Sequence, residues 1–445
     1  MMETPIYDFI KKYAESESSR FHMPGHKGRG PLGFEKYDIT EISGADALYE
    51  ASGIIAQSEK NAADIFRTGK TLYTTEGSSH AICAMLFLTY TGAKGKSRTV
   101  LAARNVHKAF IHACALIGCD ADFIYPQKND SVCSCSISPE DIDKKLCEYE
   151  NPPFAFYITS PDYLGNISDI QKISQVCKKH NVPLLVDNAH GAYLAFLKNN
   201  IHPIALGAYM CCDSAHKTLP VLTGGAYLHL SEQAKDDIGN EAKSALSLFG
   251  STSPSYLTLS SLDLCNAYLC DAYEEKLNKT VLRINKIKKS AAESGLAVLT
   301  GEPLKVTIHA SRSGYTGYEL AGMIKKAGGM AEFFDDDFLV CMLTPENSAK
   351  DFDLLEDVLT QIKPKDTKIT PVFSLAEQKR ALSIREAVFS PKERVEVSSA
   401  AGRICAESAV SCPPAVPIAV CGEIISNEQI TLFKKYGIEY ISVVK

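Results

Sequence analysis

Residues 208–230, AYMCCDSAHKTLPVLTGGAYLHL, carry the pattern that decides the fold of this chain. Two short apolar runs flank a polar segment that contains Ser214, His216 and Lys217. A continuous apolar run of strand length, bounded by turn residues, predicts a buried β-strand. The lysine therefore follows the carboxyl end of such a strand, where it is either a loop charge or part of a site.

The same pattern repeats from about residue 70 to residue 230. Short apolar runs alternate with longer segments in which apolar residues recur three and four positions apart, as in 169–180. Alternating β and α units with almost wholly apolar strands predict a mostly parallel sheet that is covered on both faces. The expected fold class is α/β, with a seven-stranded sheet in the large domain formed by 71–75, 99–104, 121–126, 154–160, 182–187, 208–213 and 225–230.

The rest of the chain predicts a smaller α+β region towards the C-terminus. Residues 255–295 have a long helical pattern, and residues 304–362 predict a β-α-β-β-α unit. A polar stretch at 363–371 is typical of a linker and leads to a Pro-rich module. We therefore expect four parts: an N-terminal segment (1–50), a large domain (51–290), a small α/β domain (291–365) and a C-terminal module (366–445).

Composition and charge narrow the class of partner. The 445-residue chain has a formal net charge of −6, which argues against nucleic acid or an anionic membrane as its main partner. Its apolar runs are shorter than the roughly 18 residues of a membrane span, so none is expected. The 15 cysteines include no CxxC pair, which favours reduced thiols in a cytoplasmic protein; neither disulfides nor a metal site are expected.

Ligands of open α/β sheets bind outside the carboxyl ends of the strands, so the polar residues at those ends are the candidate ligands. Gly77, Ser78 and Ser79 follow the first strand and can bind a phosphate at a helix N-terminus, although Ser78 or Ser79 could simply cap that helix. His107 follows the second strand and, taken alone, is structural. Asp187 ends the fifth strand, where its carboxylate needs a cationic partner or caps the next segment.

Together with Lys217, these residues meet the requirements of pyridoxal 5'-phosphate. Its aldehyde reacts with a lysine amine, and its ring nitrogen needs a carboxylate to remain protonated. Its phosphate needs N–H and hydroxyl donors, and an imidazole can stack on the free face of its ring. The set therefore predicts pyridoxal phosphate as the cofactor.

With these residues in place, the chain resembles the bacterial ornithine/lysine/arginine decarboxylases in their short form. These are pyridoxal-phosphate enzymes of fold type I, the aspartate-aminotransferase group. The resemblance covers most of the chain and implies a large domain of the PLP-dependent transferase type. It is carried by the ordered motifs FHMPGHKGRG, EGSSHA, RNVHKAF, PDYLGNISDI, VDNAHGAYLAF, SAHKTLPVLTGG, STSPSYLTLSSLD, IREAVFSP and AAGRICAE.

The resemblance implies a role for each matching residue around the cofactor ring. Lys217 would form the Schiff base, and Asp187 would pair with the pyridine nitrogen. His107 would stack on the ring and Ala189 would pack against its other face. His190 would lie near the ring hydroxyl.

The resemblance also implies how the phosphate is held and how the subunits assemble. The implied phosphate ligands are Gly77, Ser78, Ser79, Ser214 and His216. A hydroxyl of Ser251 or Thr252 would reach the phosphate of the neighbouring subunit. The active protein would then be a homodimer, or a higher assembly of dimers, with the segment 1–50 at the interface.

The implied reaction is decarboxylation of lysine, ornithine or arginine to a polyamine precursor, with Lys217 or His216 returning a proton to Cα. A different pyridoxal-phosphate reaction, such as transamination or elimination, and a catalytically idle binding protein are the alternatives. The chain departs from the family at Asn188, which is usually acidic, and at 413–417 with the neighbouring Cys412 and Cys421. These departures leave the substrate open. Glu332 is a candidate ligand for the distal cation of the substrate.

Overall fold

The computed structural model of this chain describes residues 2–93, 97–126, 131–363, 365–368, 376–408 and 415–445. These residues form two compact units. The first comprises Met1–Leu101, Pro139–Ile158 and Asp169–Glu274. The second comprises Ala102–Ser138, Thr159–Ser168 and Glu275–Lys445.

The strands and helices alternate through most of the chain. The strands are β1 (Lys70–Thr74), β2 (Thr99–Ala103), β3 (Asp120–Ile124), β4 (Phe156–Thr159), β5 (Leu184–Asp187), β6 (Met210–Asp213), β7 (Ala226–Leu230), β8 (Lys305–His309), β9 (Phe333–Phe334), β10 (Phe338–Met342), β11 (Lys392–Glu396) and β12 (Tyr440–Val444). The α-helices are α1 (Pro5–Ala14), α2 (Ile54–Phe66), α3 (Gly77–Gly92), α4 (Lys108–Ile117), α5 (Pro139–Cys147), α6 (Ile170–Lys179), α7 (Ala215–Thr218), α8 (Glu232–Ile238), α9 (Ala242–Phe249), α10 (Tyr256–Cys270), α11 (Tyr273–Glu293), α12 (Gly317–Lys326), α13 (Ala349–Gln361), α14 (Ile384–Phe389) and α15 (Asn427–Lys435).

The seven strands expected from the apolar runs form one sheet, which confirms the predicted α/β class. Their order is β1-β7-β6-β5-β4-β2-β3. Strand β5 pairs with β6 in parallel, whereas β7 is antiparallel to both β6 and β1. Every residue of β5, β6 and β7 is buried, which explains why these strands have continuous apolar sequences rather than alternating ones.

The register of β5 and β6 determines which side chains share a face of the sheet. Asp187 pairs with Cys212, so both side chains point to one face. Successive residues of a strand point to opposite faces. Cys211 and Asp213 therefore lie on the other face, together with His229, which is the β7 partner of Cys211.

In the first unit, helix α1 is capped by a residue far away in the sequence. Thr4, at its N-cap, makes no side-chain hydrogen bond to the helix. Instead, Oδ2 of Asp263 accepts hydrogen bonds from the backbone N–H groups of Ile6 (2.9 Å) and Tyr7 (3.0 Å). The first N–H groups of a helix have no partner within it, so this carboxylate from α10 satisfies two of them. Burial raises the pKa of Asp263 to about 6.

The second unit contains the smaller elements that the sequence predicts. The three-stranded sheet β8-β10-β9 with α12 and α13 reproduces the β-α-β-β-α pattern of 304–362. Strands β11 and β12 form a two-stranded antiparallel ribbon near the C-terminus. The helical pattern of 255–295 is two helices, since the chain breaks at Ala272, which has a positive φ of 28°. Among the described residues, no helix is long and apolar enough to cross a membrane.

Candidate active site

Most of the predicted site residues lie in the first unit, directly after strands of the seven-stranded sheet. They follow β1, β5 and β6, or stand in the loop before α10. These residues are Gly77, Ser78, Ser79, Asp187, Ala189, His190, Ser214, His216, Lys217, Ser251 and Thr252.

The predicted phosphate ligands stand at the start of α3. The helix begins at Gly77, whose φ of 74° favours glycine, and its N-cap Glu76 makes no side-chain cap. Ser78 and Ser79 are thus inside the first turn, and the alternative that one of them is the N-cap is wrong. Ser214 Oγ donates to Ser78 Oγ at 2.8 Å, which joins the turn after β6 to this helix. Helical N–H groups beside two hydroxyls can bind an anion, and the predicted phosphate contacts stay a prediction.

Lys217 lies in a short helical turn that the following loop supports. Within α7, the N–H of Lys217 donates to the carbonyl of Ser214 at 3.0 Å. The N–H of His216 donates to the carbonyl of Gly225 at 3.2 Å, and Nδ1 of His216 lies 3.0 Å from the same oxygen. A carbonyl only accepts hydrogen bonds, so Nδ1 of His216 carries a proton. Burial lowers the pKa of His216, which favours its neutral form with Nε2 as an acceptor.

The side chain of Lys217 meets a residue from the neighbouring strand end. Its Nζ lies 3.2 Å from Nε2 of His190, which follows β5 by three positions. Lys217 is partly buried and His190 is buried. The structure therefore places the two residues as hydrogen-bond partners, although they are 27 positions apart in the sequence.

Asp187 is a buried carboxylate held by three donors. The hydroxyl of Tyr157 donates to Oδ2 at 3.2 Å, and the N–H of Ala189 donates to Oδ1 at 3.2 Å. The thiol of Cys212 lies 3.7 Å from Oδ1. Burial raises the pKa of Asp187, and the charge of Lys217 together with these donors opposes that rise. The bond from Ala189, two positions on, is also the one that the capping alternative predicts, so Asp187 bonds the start of the next segment as well as Tyr157.

Tyr157 and Cys212 were missed by the sequence reasoning. Both are single polar positions inside apolar strands and carry no motif signal of their own. Cys212 could have been found from the register, because it is the β6 partner of Asp187. Tyr157 belongs to β4, which precedes β5 in the chain and lies beside it in the sheet, but the contact of its hydroxyl with Asp187 depends on the register of the two strands.

The loop that contains Ser251 and Thr252 is attached to the start of α3. The N–H of Ser251 donates to Oε1 of Glu76 at 2.7 Å. Both residues are exposed in this single chain. Their side chains are accessible to another subunit, and the predicted contact with its phosphate stays a prediction.

His107 and Glu332 belong to the second unit. Nδ1 of His107 accepts a hydrogen bond from the N–H of Ala109 at 3.1 Å, so this imidazole caps α4. Glu332 is exposed and accepts a hydrogen bond from the hydroxyl of Tyr163 at 2.7 Å. The predicted stacking of His107 and the predicted substrate contact of Glu332 stay predictions. Cys412 lies outside the described residues.

The donor set of the first unit fits pyridoxal phosphate. Asp187 is a buried carboxylate that a protonated ring nitrogen would pair with, and such a cation would offset the cost of its burial. Lys217 supplies a partly buried amine, and α3 supplies N–H groups beside Ser78 and Ser214 for a phosphate. The residues present therefore provide the anchors that this cofactor requires.

Comparison with known proteins points to one family. Residues 4–311 match the family model described as Orn/Lys/Arg decarboxylase, major domain, and residues 369–442 match the model of its C-terminal domain. The chain is 29% identical over 467 residues to the arginine decarboxylase of Bacillus subtilis, with 97% of this chain and 93% of the relative covered. It is 26% identical over 470 residues to the arginine decarboxylase of Halalkalibacterium halodurans, again with 97% of this chain and 93% of the relative covered.

Solved structures support the same fold. The crystal structure of the lysine decarboxylase LdcF from Francisella novicida matches with a TM-score of 0.82 at 16% identity, over 99% of this chain and 81% of that one. The constitutive lysine decarboxylase of Escherichia coli matches with a TM-score of 0.78 at 17% identity, over 100% of this chain and 82% of that one. At such identities these matches show the fold alone.

Proposed function

This chain belongs to the Orn/Lys/Arg decarboxylase family, and we propose that it releases carbon dioxide from a basic amino acid with pyridoxal phosphate as cofactor. The observation that carries the proposal is the contact of Lys217 with His190 in the same unit as the buried Asp187. The family assignment fixes the enzyme class as an amino-acid decarboxylase. The substrate, the cofactor and the residue roles are the proposal.

When bound, pyridoxal phosphate supplies an electron sink for the electron pair left on Cα after loss of the carboxylate. Lys217 would hold the cofactor covalently through Nζ. Asp187 would keep the ring nitrogen protonated, because a carboxylate beside a cation favours the charged form of both groups. Ser78 and Ser214 would hold the phosphate at the N-terminus of α3, and His216 would donate to it through Nε2 when its imidazole is protonated.

The proton that replaces carbon dioxide has two candidate sources. The bond from Cα to the carboxylate breaks, carbon dioxide leaves, and one proton is added to Cα. Lys217 and His216 are the groups that could deliver it, as the sequence predicts. The contact with His190 supports Lys217, because an imidazole at 3.2 Å can accept a proton from the amine and return it.

Arginine is the first substrate to test. The arginine decarboxylases of Bacillus subtilis and Halalkalibacterium halodurans align with 97% of this chain, whereas the lysine decarboxylase LdcA of Pseudomonas aeruginosa and the biodegradative arginine decarboxylase of Escherichia coli align with 60% and 58% of it. Lysine and ornithine are the other two proposed substrates. Glu332 is proposed as a ligand for the distal cation, because its carboxylate is exposed in the described structure.

The assembly and setting of the enzyme are part of the same proposal. We propose a homodimer, or a higher assembly of dimers, in which the segment 1–50 lies at the interface. Ser251 or Thr252 would contact the phosphate of the adjoining subunit. The four-part division at 50, 290 and 365, the cytoplasmic location and a role in polyamine synthesis are predictions that accompany it.

The test is a product assay on cofactor-loaded protein. Arginine, lysine and ornithine, each labelled in the carboxyl group, are incubated separately, and released carbon dioxide is counted. The amines agmatine, cadaverine and putrescine are identified by mass. One of these amines should form together with carbon dioxide in equal amount. The absence of both products with all three substrates would contradict the proposal.

A further inference from the structure

Asp213, the last residue of β6, is a buried carboxylate to which no role has been assigned. Its side chain is fully buried on the face of the sheet opposite to Asp187. A buried ionised carboxylate is costly unless several donors satisfy it. The contacts of Asp213 with its neighbours therefore show how its buried charge is stabilised.

Three side-chain nitrogens converge on the two oxygens of Asp213, and the thiol of Cys211 lies 4.0 Å from Oδ1. Nδ2 of Asn188 donates to Oδ1 at 2.7 Å. Nε2 of His202 lies 3.0 Å from Oδ2, and Nε2 of His229 lies 3.3 Å from the same oxygen. All three neighbours are completely buried. Both oxygens of Asp213 thus face a nitrogen at hydrogen-bond distance.

The two histidines keep the carboxylate ionised. Burial alone would raise the pKa of Asp213, but His202 and His229 beside it hold the pKa well below its ordinary value. Nδ1 of His229 lies 2.8 Å from Oγ1 of Thr71, whose hydroxyl can donate to it. Nε2 of His229 is then the protonated nitrogen that faces Asp213.

The bond between Asn188 and Asp213 crosses from one strand end to the next. Asn188 directly follows Asp187, and Asp213 directly precedes Ser214. The backbone N–H of Asn188 also donates to the carbonyl of Cys212 at 2.9 Å. A side-chain bond and a backbone bond therefore hold together the two places where the cofactor ligands leave the sheet.

We propose that Asp213 is a positioning residue for the cofactor site: through Asn188 it fixes the distance between Asp187 and the turn that contains Ser214 and Lys217. The inference rests on the proposed function, because it concerns affinity for pyridoxal phosphate. Asp213 touches neither substrate nor cofactor in this role. A ligand that binds Asp187 at one end and Ser214 at the other needs those two anchors at a constant separation.

A bound metal is the competing explanation of the same cluster. His202, Cys211 and Asp213 have donor atoms close enough to hold an ion, and all three are buried. However, the 2.7 Å and 3.0 Å contacts of Asp213 have hydrogen-bond lengths, and together with His229 they use both of its oxygens. The hydrogen-bonded arrangement thus explains the cluster without an ion.

The primary test variant is Asn188→Ala, which removes the link but leaves Asp213 with its two histidines. Cofactor-free protein is titrated with pyridoxal phosphate, and the dissociation constant is measured from the absorbance of the bound form. We expect the dissociation constant to rise at least about 10-fold, which is the scale of loss when a hydrogen bond that orients a metal ligand is removed. Asp213→Ala should raise it at least as much.

Two further variants separate positioning from general stability. In Asp213→Asn, the amide oxygen still accepts from the histidines, and Asn188 can turn its own oxygen towards the new N–H group. This conservative variant should bind the cofactor nearly as tightly as the wild type. Asp263→Asn alters another buried carboxylate of the first unit, and it should leave the dissociation constant unchanged, whichever way the melting temperature moves.

The possible outcomes are distinct. Unchanged cofactor affinity in both Asn188→Ala and Asp213→Ala would overturn the inference, as would an equal loss of affinity in Asp263→Asn. A stoichiometric metal in the wild type that Asp213→Ala removes would also overturn it. A wild type that takes up no pyridoxal phosphate would refute the proposed function, which is a separate result.

Discussion

Nζ of Lys217 and Nε2 of His190 lie 3.2 Å apart, although the two residues follow different strands of the sheet. Lys217 comes after β6 and His190 after β5, and these two strands are parallel neighbours. While the lysine is an ammonium, it can only donate, so His190 accepts through Nε2. His190 can thus accept the proton of the Lys217 amine and return it inside the site.

Lys217→Ala should abolish covalent attachment of the cofactor, because Lys217 is the amine that reacts with its aldehyde. The wild type, reduced with borohydride in the presence of pyridoxal phosphate, should show the added mass on the peptide that contains Lys217. The variant should show neither this mass nor the visible absorbance. Lys235→Ala, which alters an exposed lysine paired with Glu232, is the control and should label normally. Label on a different lysine of the wild type would contradict the assignment.

His190→Phe should slow the reaction while preserving a ring of similar size. The variant lacks the acceptor for Lys217, and loss of a positioned proton partner costs on the order of 10²-fold in turnover. The measurement is the initial rate of carbon dioxide release at saturating cofactor. His180→Phe, at a histidine that pairs with Asp143 outside the site, should leave the rate unchanged. Equal rates in all three proteins would show that His190 has no part in proton transfer.

Asp187→Asn should have a larger effect than Tyr157→Phe. The first change removes the charge that would stabilise the protonated ring nitrogen, which is expected to lower turnover by about 10²- to 10³-fold. The second change removes a single 3.2 Å hydrogen bond to that carboxylate, which corresponds to roughly a 3- to 10-fold loss. Both rates come from the same carbon dioxide assay. A larger loss of turnover in Tyr157→Phe than in Asp187→Asn would mean that the hydroxyl of Tyr157 contributes more to the reaction than the carboxylate of Asp187.

The predicted sharing of sites between subunits can be tested by mixing inactive variants. Lys217→Ala and the double variant Ser251→Ala/Thr252→Ala are unfolded together and refolded as a mixture. If the hydroxyl acts on the neighbouring subunit, a mixed dimer has one intact site and activity returns. If each site is built from one chain, the mixture should be no more active than the sum of the two variants refolded alone.

Stability of the first unit should depend on pH through Asp263. Burial raises its pKa in the folded protein to about 6, above its ordinary value of 3.8. The stabilising contribution of the protonated group is complete below about pH 4 and is lost as the pH rises through about 6. Between pH 7 and pH 5 the wild type should therefore gain about 1 kcal/mol from this group.

This gain is measured by thermal unfolding at the two pH values. It corresponds to a rise of about 2–4 °C in the melting temperature of a unit of this size. Asp263→Asn cannot be protonated in this range and should lack the increment. Ser58→Ala removes a hydroxyl that donates to Oδ1 of Asp263 but leaves the carboxylate, so its melting temperature should still rise from pH 7 to pH 5. An identical pH response in Asp263→Asn and the wild type would contradict the assigned pKa.

The sequence by itself determined the strands and the candidate site residues that follow them. Apolar runs of strand length indicate buried strands, and β5, β6 and β7 are buried at every residue, whereas Asp120 at the start of β3 is exposed. Gly77, Asp187, Ser214 and Lys217 could be found because ligands bind at the carboxyl ends of strands, so a polar residue after an apolar run is informative. The family resemblance added the roles of these residues.

The tertiary structure alone decided which side chains support them. Tyr157 and Cys212 reach Asp187, and Asn188 with two histidines reaches Asp213, because β4, β5, β6 and β7 lie side by side in the sheet and their register brings these side chains together. Asp263 caps α1 across a separation of 257 residues. Local sequence patterns record burial and periodicity, but a hydrogen bond between distant residues depends on register and strand order, which only the assembled sheet defines.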